Sequence, residues 1–372
     1  MAIYSYQSVP AGLRFTFYNY GDSGCHQIGD DPMTVGVVYS PVFLEHDTGE
    51  HPESPLRLEA VVQKLQETGL WDNLVHVAPP PASVDDLLRV HTGRHVDYVR
   101  CLSEVGGGRV DAETIVSSRS YDVALFAAGG VKRGLEAVVN GDLVSAFALV
   151  RPPGHHATRD GAMGFCLFNN IAVAAAYALD TLKIGRVLIL DFDVHHGNGT
   201  QDIFAREPRV SYISVHQSPL YPGSGAIHER GAGNIFNIPL PPFSGDDEYA
   251  RVYDEIVVPV ASRLKPEIIL VSAGFDGHWR ESLASMSLTI KGYADIMRRI
   301  NALAKASCGG RIVIALEGGY DLAALSGGIR AVFDVLLGNA DAPDPLGPSR
   351  ENDNAPDIDP LLMRLKKSFD LT

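Results

Sequence analysis

The chain has 372 residues, of which 45% are hydrophobic and 20% charged, an ordinary composition for a globular protein with enough chain to bury a core. Its formal net charge of −14 and its pI near 5.3 argue against a nucleic-acid-binding surface, because neutralising phosphates needs a basic stripe. The four cysteines are scattered without a CxxC pair, which argues against a disulfide framework or a thiolate zinc site and favours a reducing compartment.

The N-terminus has no basic segment followed by a continuous apolar run, so no signal peptide is expected. No apolar run approaches the length of about 18 residues that marks a transmembrane helix. The prediction is a cytoplasmic protein with no membrane partner and no direct nucleic-acid partner, and a homo-oligomer is compatible with the sequence. An acidic surface could still attract a cationic ligand.

From about residue 34 the chain alternates short β-branched runs with longer helical patterns. The strand candidates are 34–39, 145–150, 186–191, 209–216, 267–274 and 311–319. The helical patterns lie near 55–69, 84–104, 120–140, 169–182, 246–264, 289–306 and 321–338. Runs such as "VLIL" and "IILV" are apolar throughout, which is typical of parallel strands covered on both faces. This alternation predicts a single α/β domain with a central, mostly parallel β-sheet and helices on both faces.

The two ends of the chain differ from this pattern. Residues 1–33 are expected to be an N-terminal extension, and residues 34–340 to form the folded α/β domain. Residues 341–372 form a tail rich in Pro, Asp and Asn that ends in the short amphipathic stretch "PLLMRLKKSF".

Polar residues follow five of the predicted strands, in the stretches "LVRPPGHH", "LDFDVHHGNG", "ISVHQ", "SAGFDGH" and "LEGGYD". Because ligands bind at the carboxyl ends of the strands in parallel sheets, these clusters are expected to converge on one edge.

The stretch "LDFDVHH" places two carboxylates and a histidine at a strand end, where residues two apart point the same way. Two buried carboxylates repel each other unless a cation neutralises them. Asp193 and His195, together with Asp276 of "SAGFDGH", would supply three ligands and leave a position for water, as in catalytic zinc sites. Fe(II) or Mn(II) would also accept these ligands. The alternatives are a buried acid–histidine hydrogen-bond cluster and, for Asp276, a helix N-cap.

The stretch "RPPGHHA" places His155 and His156 on a stiff loop, where a histidine pair is suited to general acid and base work. Asp191 and Asn198 are candidate partners that orient the two imidazoles. Tyr320 of "LEGGYD" could donate a hydrogen bond to a developing oxyanion, although an aromatic residue there could simply cover the sheet edge.

Phe165 of "MGFCLFNN" and Tyr221 of "SPLYPGSG" could wall a narrow apolar channel at the same edge, unless either is part of the core.

The motifs "HPESPLRL", "RPPGHHA", "GFCLFNN", "DFDVHHGNGTQ", "SAGFDGH" and "EGGY" occur in this order over roughly residues 34 to 338. In this order the chain resembles the histone deacetylase superfamily, most closely class II histone deacetylases and bacterial histone-deacetylase-like amidohydrolases. The resemblance implies an arginase-like α/β fold with one zinc ion bound by Asp193, His195 and Asp276. The activity it implies is hydrolysis of the amide of an acetylated amine, such as acetyl-lysine, by metal-activated water.

The resemblance also assigns roles to individual residues. His156 is implied to be the general base and His155 its electrostatic partner or acid, with Asn198 and Asp191 as their respective hydrogen-bond partners. Tyr320 is implied to polarise the amide carbonyl. A potassium ion is implied near the zinc ligands, held by Asp191, Asp193, His195, Ser214 and Val215. The substrate-binding residues are implied to be Gly164, Phe165, Tyr221 and, at the gate position, Leu283.

Three alternatives follow from the same motifs. Acetylpolyamine deacetylases share the catalytic set, but an apolar Leu283 argues against that substrate, because polyamine-selective eukaryotic relatives carry glutamate there. A binuclear manganese enzyme would need carboxylates where Gly197 and Gly274 stand. A non-catalytic acetyl-ligand binder or scaffold would be expected to lack His156, Tyr320 or a metal ligand, and none is missing.

Overall fold

The computed structural model describes residues 34–340, 342–348 and 354–371. The predicted extension, residues 1–33, lies outside the described residues, as do a few residues of the predicted tail. In the part of the chain that is described, no helix is long and apolar enough to cross a membrane.

The described residues contain ten strands. They are β1 (Val35–Val38), β2 (Val75–Val77), β3 (Gly107–Arg109), β4 (Ile115–Ser117), β5 (Ser145–Ala148), β6 (Val187–Asp191), β7 (Val210–Gln217), β8 (Ile235–Leu240), β9 (Ile268–Ala273) and β10 (Ile312–Leu316). Strands β3 and β4 form a small antiparallel hairpin, and the other strands form one sheet in the order β2-β1-β5-β10-β9-β6-β7-β8. Each pairing within this eight-stranded sheet is parallel.

The helices are α1 (Leu56–Glu67), α2 (Val84–Leu88), α3 (Gly93–Glu104), α4 (Ser120–Val139), α5 (Asn170–Asp180), α6 (Asn198–Phe204), α7 (Asp246–Val252), α8 (Val258–Leu264), α9 (Ile290–Cys308), α10 (Leu322–Leu336) and α11 (Asp359–Ser368). A π-helical turn, Tyr253–Val257, joins α7 to α8. Short 3-10 turns lie at Pro41–Glu45 and Trp71–Asn73.

The central strands are buried on both sides, as their uninterrupted apolar sequences predict. Every residue of β5, β6, β9 and β10 is buried. Helices α1, α9 and α10 pack together as one group and α4 and α5 as another, so helices cover the sheet as expected. The predicted class, a mostly parallel α/β sheet with helices around it, is confirmed.

Several boundaries differ from the sequence prediction for local reasons. The predicted helix near 84–104 is two helices, because Thr92 caps a new one by accepting a hydrogen bond from the His95 N–H. Strand β2 was missed because its three residues are largely exposed at the sheet edge. Strand β8 was missed because Asn237 and Pro239 interrupt its apolar pattern.

The C-terminal helix α11 buries Leu361, Leu362 and Leu365. Directly after it, the Phe369 ring lies 5.3 Å from the Phe236 ring of β8, edge to face. The end of the tail therefore packs near the outer strand of the sheet.

The strand order decides where the polar clusters meet. Strands β5, β10, β9, β6 and β7 are consecutive neighbours at the centre of the sheet. The polar stretches of the sequence lie at the carboxyl ends of these same five strands. Their carboxyl ends therefore bring those stretches to one edge.

Candidate active site

Two neighbouring strands bring the three predicted metal ligands together. Asp191 ends β6 and pairs in register with Ser272 of β9, so the residues that follow each strand lie side by side. Potential ligand atoms of Asp193, His195 and Asp276 all lie within 4.8 Å of one another. The His195 Nδ1 is 3.2 Å from Asp193 Oδ1 and 3.2 Å from Asp276 Oδ2. The three side chains thus form a cluster that could hold a metal ion.

Close backbone packing surrounds these carboxylates. A Cβ atom at Gly274 would lie 2.1 Å from Asp193 Oδ2, and one at Gly318 would lie 2.1 Å from Asp276 Oδ2. Backbone N–H groups of Gly318 and Val194 donate to Asp193 Oδ2 at 2.8 Å and to Asp276 Oδ1 at 3.1 Å. Each carboxylate therefore keeps one oxygen fixed by backbone while the other faces His195.

The electrostatics of the cluster also fit a cation. Burial raises the pKa of Asp276, and the nearby Asp193 carboxylate raises it further. Burial raises the pKa of Asp193 as well, but the positive charge of His155 and His195 outweighs burial and lowers that pKa. A divalent metal ion at this position would supply the positive charge that two such deeply buried carboxylates need in order to stay ionised. The N-cap alternative for Asp276 fails, because the N–H group that it holds belongs to Val194 on another segment.

His155 is a buried imidazole between two aspartates. Its Nδ1 donates to Asp191 Oδ2 at 3.1 Å, and its Nε2 lies 3.8 Å from Asp193 Oδ1. Burial lowers the pKa of His155, but Asp193 and Asp191 outweigh burial and raise the pKa to about 10. His155 is therefore charged near neutral pH.

His156, the next residue, has the opposite electrostatics. Burial lowers its pKa well below the usual range, and the neighbouring charges of His155 and His195 lower it further. Its Nδ1 lies 2.8 Å from Asn198 Oδ1, an acceptor, so Nδ1 carries the proton and Nε2 keeps its lone pair. Asn198 is held in this orientation by its Nδ2, which donates to the Met163 sulfur at 3.3 Å. His156 is a neutral, oriented base.

Asp191 lies behind the two histidines. Its Oδ2 also accepts from the Tyr212 hydroxyl at 2.8 Å, and its Oδ1 accepts from the Asp193 N–H at 3.1 Å. Strand register brings Ser214 of β7 next to Asp191, with Val215 following it. Ser214 Oγ lies 2.8 Å from His216 Nδ1. The predicted potassium ligands are therefore neighbours, and potassium itself stays a prediction.

Tyr320 lies just after β10, the strand that neighbours β9 in the sheet. Burial raises the pKa of its hydroxyl well above the usual range, and the charge of Asp276 adds to the rise. Its backbone N–H and that of Asp321 both donate to Glu281 Oε1, at 2.7 and 2.8 Å. The phenol is therefore a protonated hydrogen-bond donor on a fixed backbone.

Three of the four predicted substrate-binding residues, Gly164, Phe165 and Tyr221, lie against His156 or Tyr320. Phe165 lies edge to face against Tyr320 at 5.7 Å, and Tyr221 lies edge to face against His156 at 5.2 Å. Tyr221 and Leu283 are 38% and 39% exposed, which places both on the surface rather than in the core. Gly164 has a second role: at φ +53° its Cβ would lie 2.4 Å from the His156 ring, so glycine leaves room for the imidazole.

His196 and Gly197 separate from the catalytic set. His196 Nδ1 bonds Ser224 Oγ at 2.8 Å and its Nε2 bonds Gln201 Oε1 at 3.0 Å, rather than any of the predicted metal ligands. A Cβ at Gly197 would lie 2.3 Å from Asp191 Oδ2, so neither Gly197 nor Gly274 leaves space for the extra carboxylate of a binuclear centre.

Charged side chains that the sequence patterns did not single out hold this edge together. Glu53, fully buried, accepts hydrogen bonds from Arg151 at 2.9 Å and from Arg57 at 3.1 Å. Arg57 in turn donates to the backbone oxygens of Glu317 and Gly319, and its guanidinium carbon lies 5.0 Å from the centre of the Tyr320 ring. Glu53 and Arg57 lie in "HPESPLRL" and Glu317 in "LEGGYD", so the signal was present as charge within otherwise apolar or glycine-rich motifs.

An eight-stranded parallel sheet with an Asp-His-Asp cluster at its strand ends defines the arginase/deacetylase class of α/β folds. Residues 51–336 match the family described as histone deacetylase domain. The chain belongs to this family.

The sequences of named relatives match this chain over most of its length. A protein of Archaeoglobus fulgidus named "probable deacetylase" is 43% identical over 297 residues, covering 78% of this chain and 82% of that protein. The histone deacetylase-like amidohydrolase of Pseudomonas aeruginosa is 39% identical over 321 residues, covering 84% and 83%. The crystal structure of the HDA15 HD domain superposes with a TM-score of 0.81 at 33% identity and covers 91% of this chain and 95% of that one. The expected family and arginase-like fold are thereby confirmed.

Proposed function

We propose that this protein is a zinc-dependent amidohydrolase that removes acetyl or related acyl groups from an amine, such as the side-chain amine of acetyl-lysine. The observation that carries the proposal is the contrast between two adjacent histidines beside a buried cluster fit for a metal ion. His156 Nδ1 is bonded to the Asn198 amide oxygen, which leaves Nε2 as a base, while His155 lies between the carboxylates of Asp191 and Asp193. A family in which relatives are named deacetylases and amidohydrolases supports the same reaction.

Asp193, His195 and Asp276 would hold the zinc ion. Bound there, zinc supplies Lewis acidity to the carbonyl and to the attacking water. A potassium ion near Asp191, His195 and Ser214 is part of the proposal as a structural cation.

The residues of the chain account for the proton transfers. His156 Nε2 takes a proton from the attacking water, because its Nδ1 is already committed to Asn198. The Tyr320 hydroxyl, which stays protonated, donates a hydrogen bond to the carbonyl oxygen as negative charge develops on it. The charged His155 stabilises that negative charge, and His156 returns its proton to the departing amine as the C–N bond breaks.

The substrate is proposed to enter between the two aromatic side chains. Phe165 and Tyr221 would contact the methylene stem of an extended acylated amine, and the exposed Leu283 would contact the part that stays outside. An apolar residue at this position favours acetyl-lysine peptides over acetylpolyamines.

A chelator and one substitution test the reaction. The purified chain would be assayed on a fluorogenic acetyl-lysine substrate, on longer acyl-lysines and on acetylpolyamines, with and without a chelator. His156→Ala should lower kcat by about 100- to 10,000-fold, since that is what a general base contributes. Activity that is unchanged by both chelation and His156→Ala would contradict the mechanism.

A further inference from the structure

The loop that carries the histidine pair has an unusual backbone requirement. Residues Pro152 and Pro153 have no N–H group, so the first backbone donors after them are the N–H groups of Gly154 and His155. Both residues are buried, and a buried N–H group without a partner is costly. The group that accepts hydrogen bonds from these two N–H groups therefore helps to fix the position of the loop.

One carboxylate oxygen accepts from both groups. Glu317 Oε2 lies 2.7 Å from the Gly154 nitrogen and 3.1 Å from the His155 nitrogen. The other oxygen, Oε1, accepts from the Ser272 hydroxyl at 3.0 Å. Glu317 itself is completely buried and comes directly after β10, three residues before Tyr320.

The rest of the loop is held by its carbonyl oxygens. Asn170 Nδ2 donates to the Pro152 oxygen at 3.0 Å, and the Thr200 N–H donates to the His155 oxygen at 3.1 Å. These contacts come from α5 and α6. Glu317 provides the contacts that join the loop to β9 and β10.

We infer that Glu317 is a positioning residue for catalysis: it sets the distance between the loop bearing His155 and His156 and the strand ends bearing Asp276 and Tyr320. It does so without touching substrate or metal. Its carboxylate accepts from the histidine loop, its second oxygen accepts from β9 four residues before Asp276, and its own backbone leads into Tyr320. The inference rests on the proposed function for the roles of those residues.

The chemistry explains why such a link is useful. The base, the oxyanion donor and the metal ligands come from four different strand ends, those of β5, β10, β6 and β9, and must act on one carbonyl group. A misplacement of about 1 Å in such an arrangement costs about 100-fold in rate. A link between buried groups holds the three parts more firmly than contacts exposed to water would.

Two substitutions separate positioning from charge. Glu317→Gln keeps the length of the side chain, offers its oxygen to both N–H groups and turns its amide toward Ser272. Glu317→Ala removes the acceptor altogether. Asp246→Ala is the matched control, because Asp246 accepts from the Thr289 N–H at 2.9 Å and from its hydroxyl at 2.6 Å but joins α7 to α9.

The zinc-loaded full chain would be measured for kcat, KM and zinc content, and for hydrogen–deuterium exchange of the peptide spanning 151–158. Glu317→Ala should lower kcat about 100-fold with KM changed by less than about threefold. Zinc content should stay the same and exchange in the 151–158 peptide should become faster. Glu317→Gln should stay within about fivefold of the parent kcat, and Asp246→Ala should lower thermal stability without lowering kcat.

The inference is overturned if folded Glu317→Ala keeps the parent kcat, if its loss of rate follows a loss of zinc, or if Glu317→Gln is as slow as the alanine variant. Should the alanine variant not fold, Glu317→Asp replaces it: the shorter side chain keeps the charge but withdraws the acceptor, so it should be slow where Gln is not. Failure of the proposed function is a separate result. In that case the parent chain is inactive on every acylated amine, and the exchange of 151–158 alone decides the role of Glu317.

Discussion

The floor of the site, formed by His155, His156, Asp193, His195 and Asp276, differs from its rim, formed by Phe165, Tyr221 and Leu283. The floor side chains are buried or nearly so: Asp193, His195 and Asp276 lie just after the paired strands β6 and β9, and His155 and His156 lie on a loop held by buried hydrogen bonds. Phe165 lies further along that loop, and the other two rim side chains are more than one-third exposed. Strand pairing and buried hydrogen bonds fix the floor residues relative to one another, whereas two of the three rim residues lie at the surface. Substitutions in the floor should therefore change the chemistry, and those in the rim should change the choice of substrate.

The largest expected effect is loss of the metal site. Asp276→Ala removes one of three ligands and should weaken zinc binding by more than the roughly 100-fold that loss of an outer partner costs, with activity falling to background. Zinc content after dialysis and the rate on acetyl-lysine substrate would be measured together. Asp86→Ala, which removes another buried aspartate at the start of α2, serves as the control and should keep its zinc. An Asp276→Ala protein that retains zinc would remove Asp276 from the ligand set.

Tyr320→Phe tests the floor without disturbing the metal. Losing the hydroxyl should lower kcat by roughly 100- to 1,000-fold, the usual effect of removing one oxyanion donor. KM and zinc content should change little, because Tyr320 is not a ligand. Tyr221→Phe is the paired variant: it removes the hydroxyl of a rim tyrosine and should be nearly silent. Equal losses in both variants would argue against the distinction between floor and rim.

The buried charges under the floor should appear as pH-dependent stability. Burial raises the pKa of Glu53, but Arg151 and then Arg57 outweigh burial and lower the pKa from its ordinary value of 4.5 to about 2. Because the folded-state pKa is lower, the carboxylate stabilises the protein above pH 4.5, and this contribution disappears as pH falls from 4.5 towards 2.

Glu53→Gln should therefore lower the free energy of unfolding by about 3–5 kcal/mol near neutral pH, because two buried guanidinium groups lose their charge partner. Its unfolding free energy should also depend less on pH in the acid range than that of the parent chain. Urea unfolding at several pH values measures both effects. Glu59→Gln, at an exposed position on helix α1, which begins three residues after Glu53, should leave the curve unchanged. If the unfolding free energy of the Glu53→Gln variant kept the pH dependence of the parent chain, a group other than Glu53 would be responsible for that dependence.

The smallest effect belongs to the rim. Leu283→Glu places a charge at an exposed position, where an ion pair contributes about 0.2–1 kcal/mol, so the ratio of kcat/KM for acetylpolyamine over acetyl-lysine peptide should rise by about 1.4- to fivefold. Leu283→Gln is the uncharged match and should leave the ratio unchanged. A large loss of kcat in either variant would mean that Leu283 belongs with the floor.

The floor was largely predictable because its residues are local to strand ends. Asp191, Asp193 and His195 occupy one short stretch after an apolar run, and the rule for parallel sheets says where such stretches meet. For the rim, the identity of the residues could be predicted from the sequence, but the positions of their side chains could not. Nothing in "SPLYPGSG" indicates that Tyr221 lies against His156, because that contact depends on the path of a loop.

The sequence by itself determined the class of fold, the residues for a metal cluster and the histidine pair, because each of these follows from periodicity and from chemistry within a few positions. The partners Asp191 and Asn198 were expected for the two adjacent histidines, but only the tertiary structure showed that His155 also meets a second aspartate, Asp193. Likewise, only the structure assigned Glu317 a partner, since Gly154 lies 163 residues away in the chain and β5 and β10 bring them together. Long-range contacts of this kind depend on strand order, which local sequence patterns do not encode.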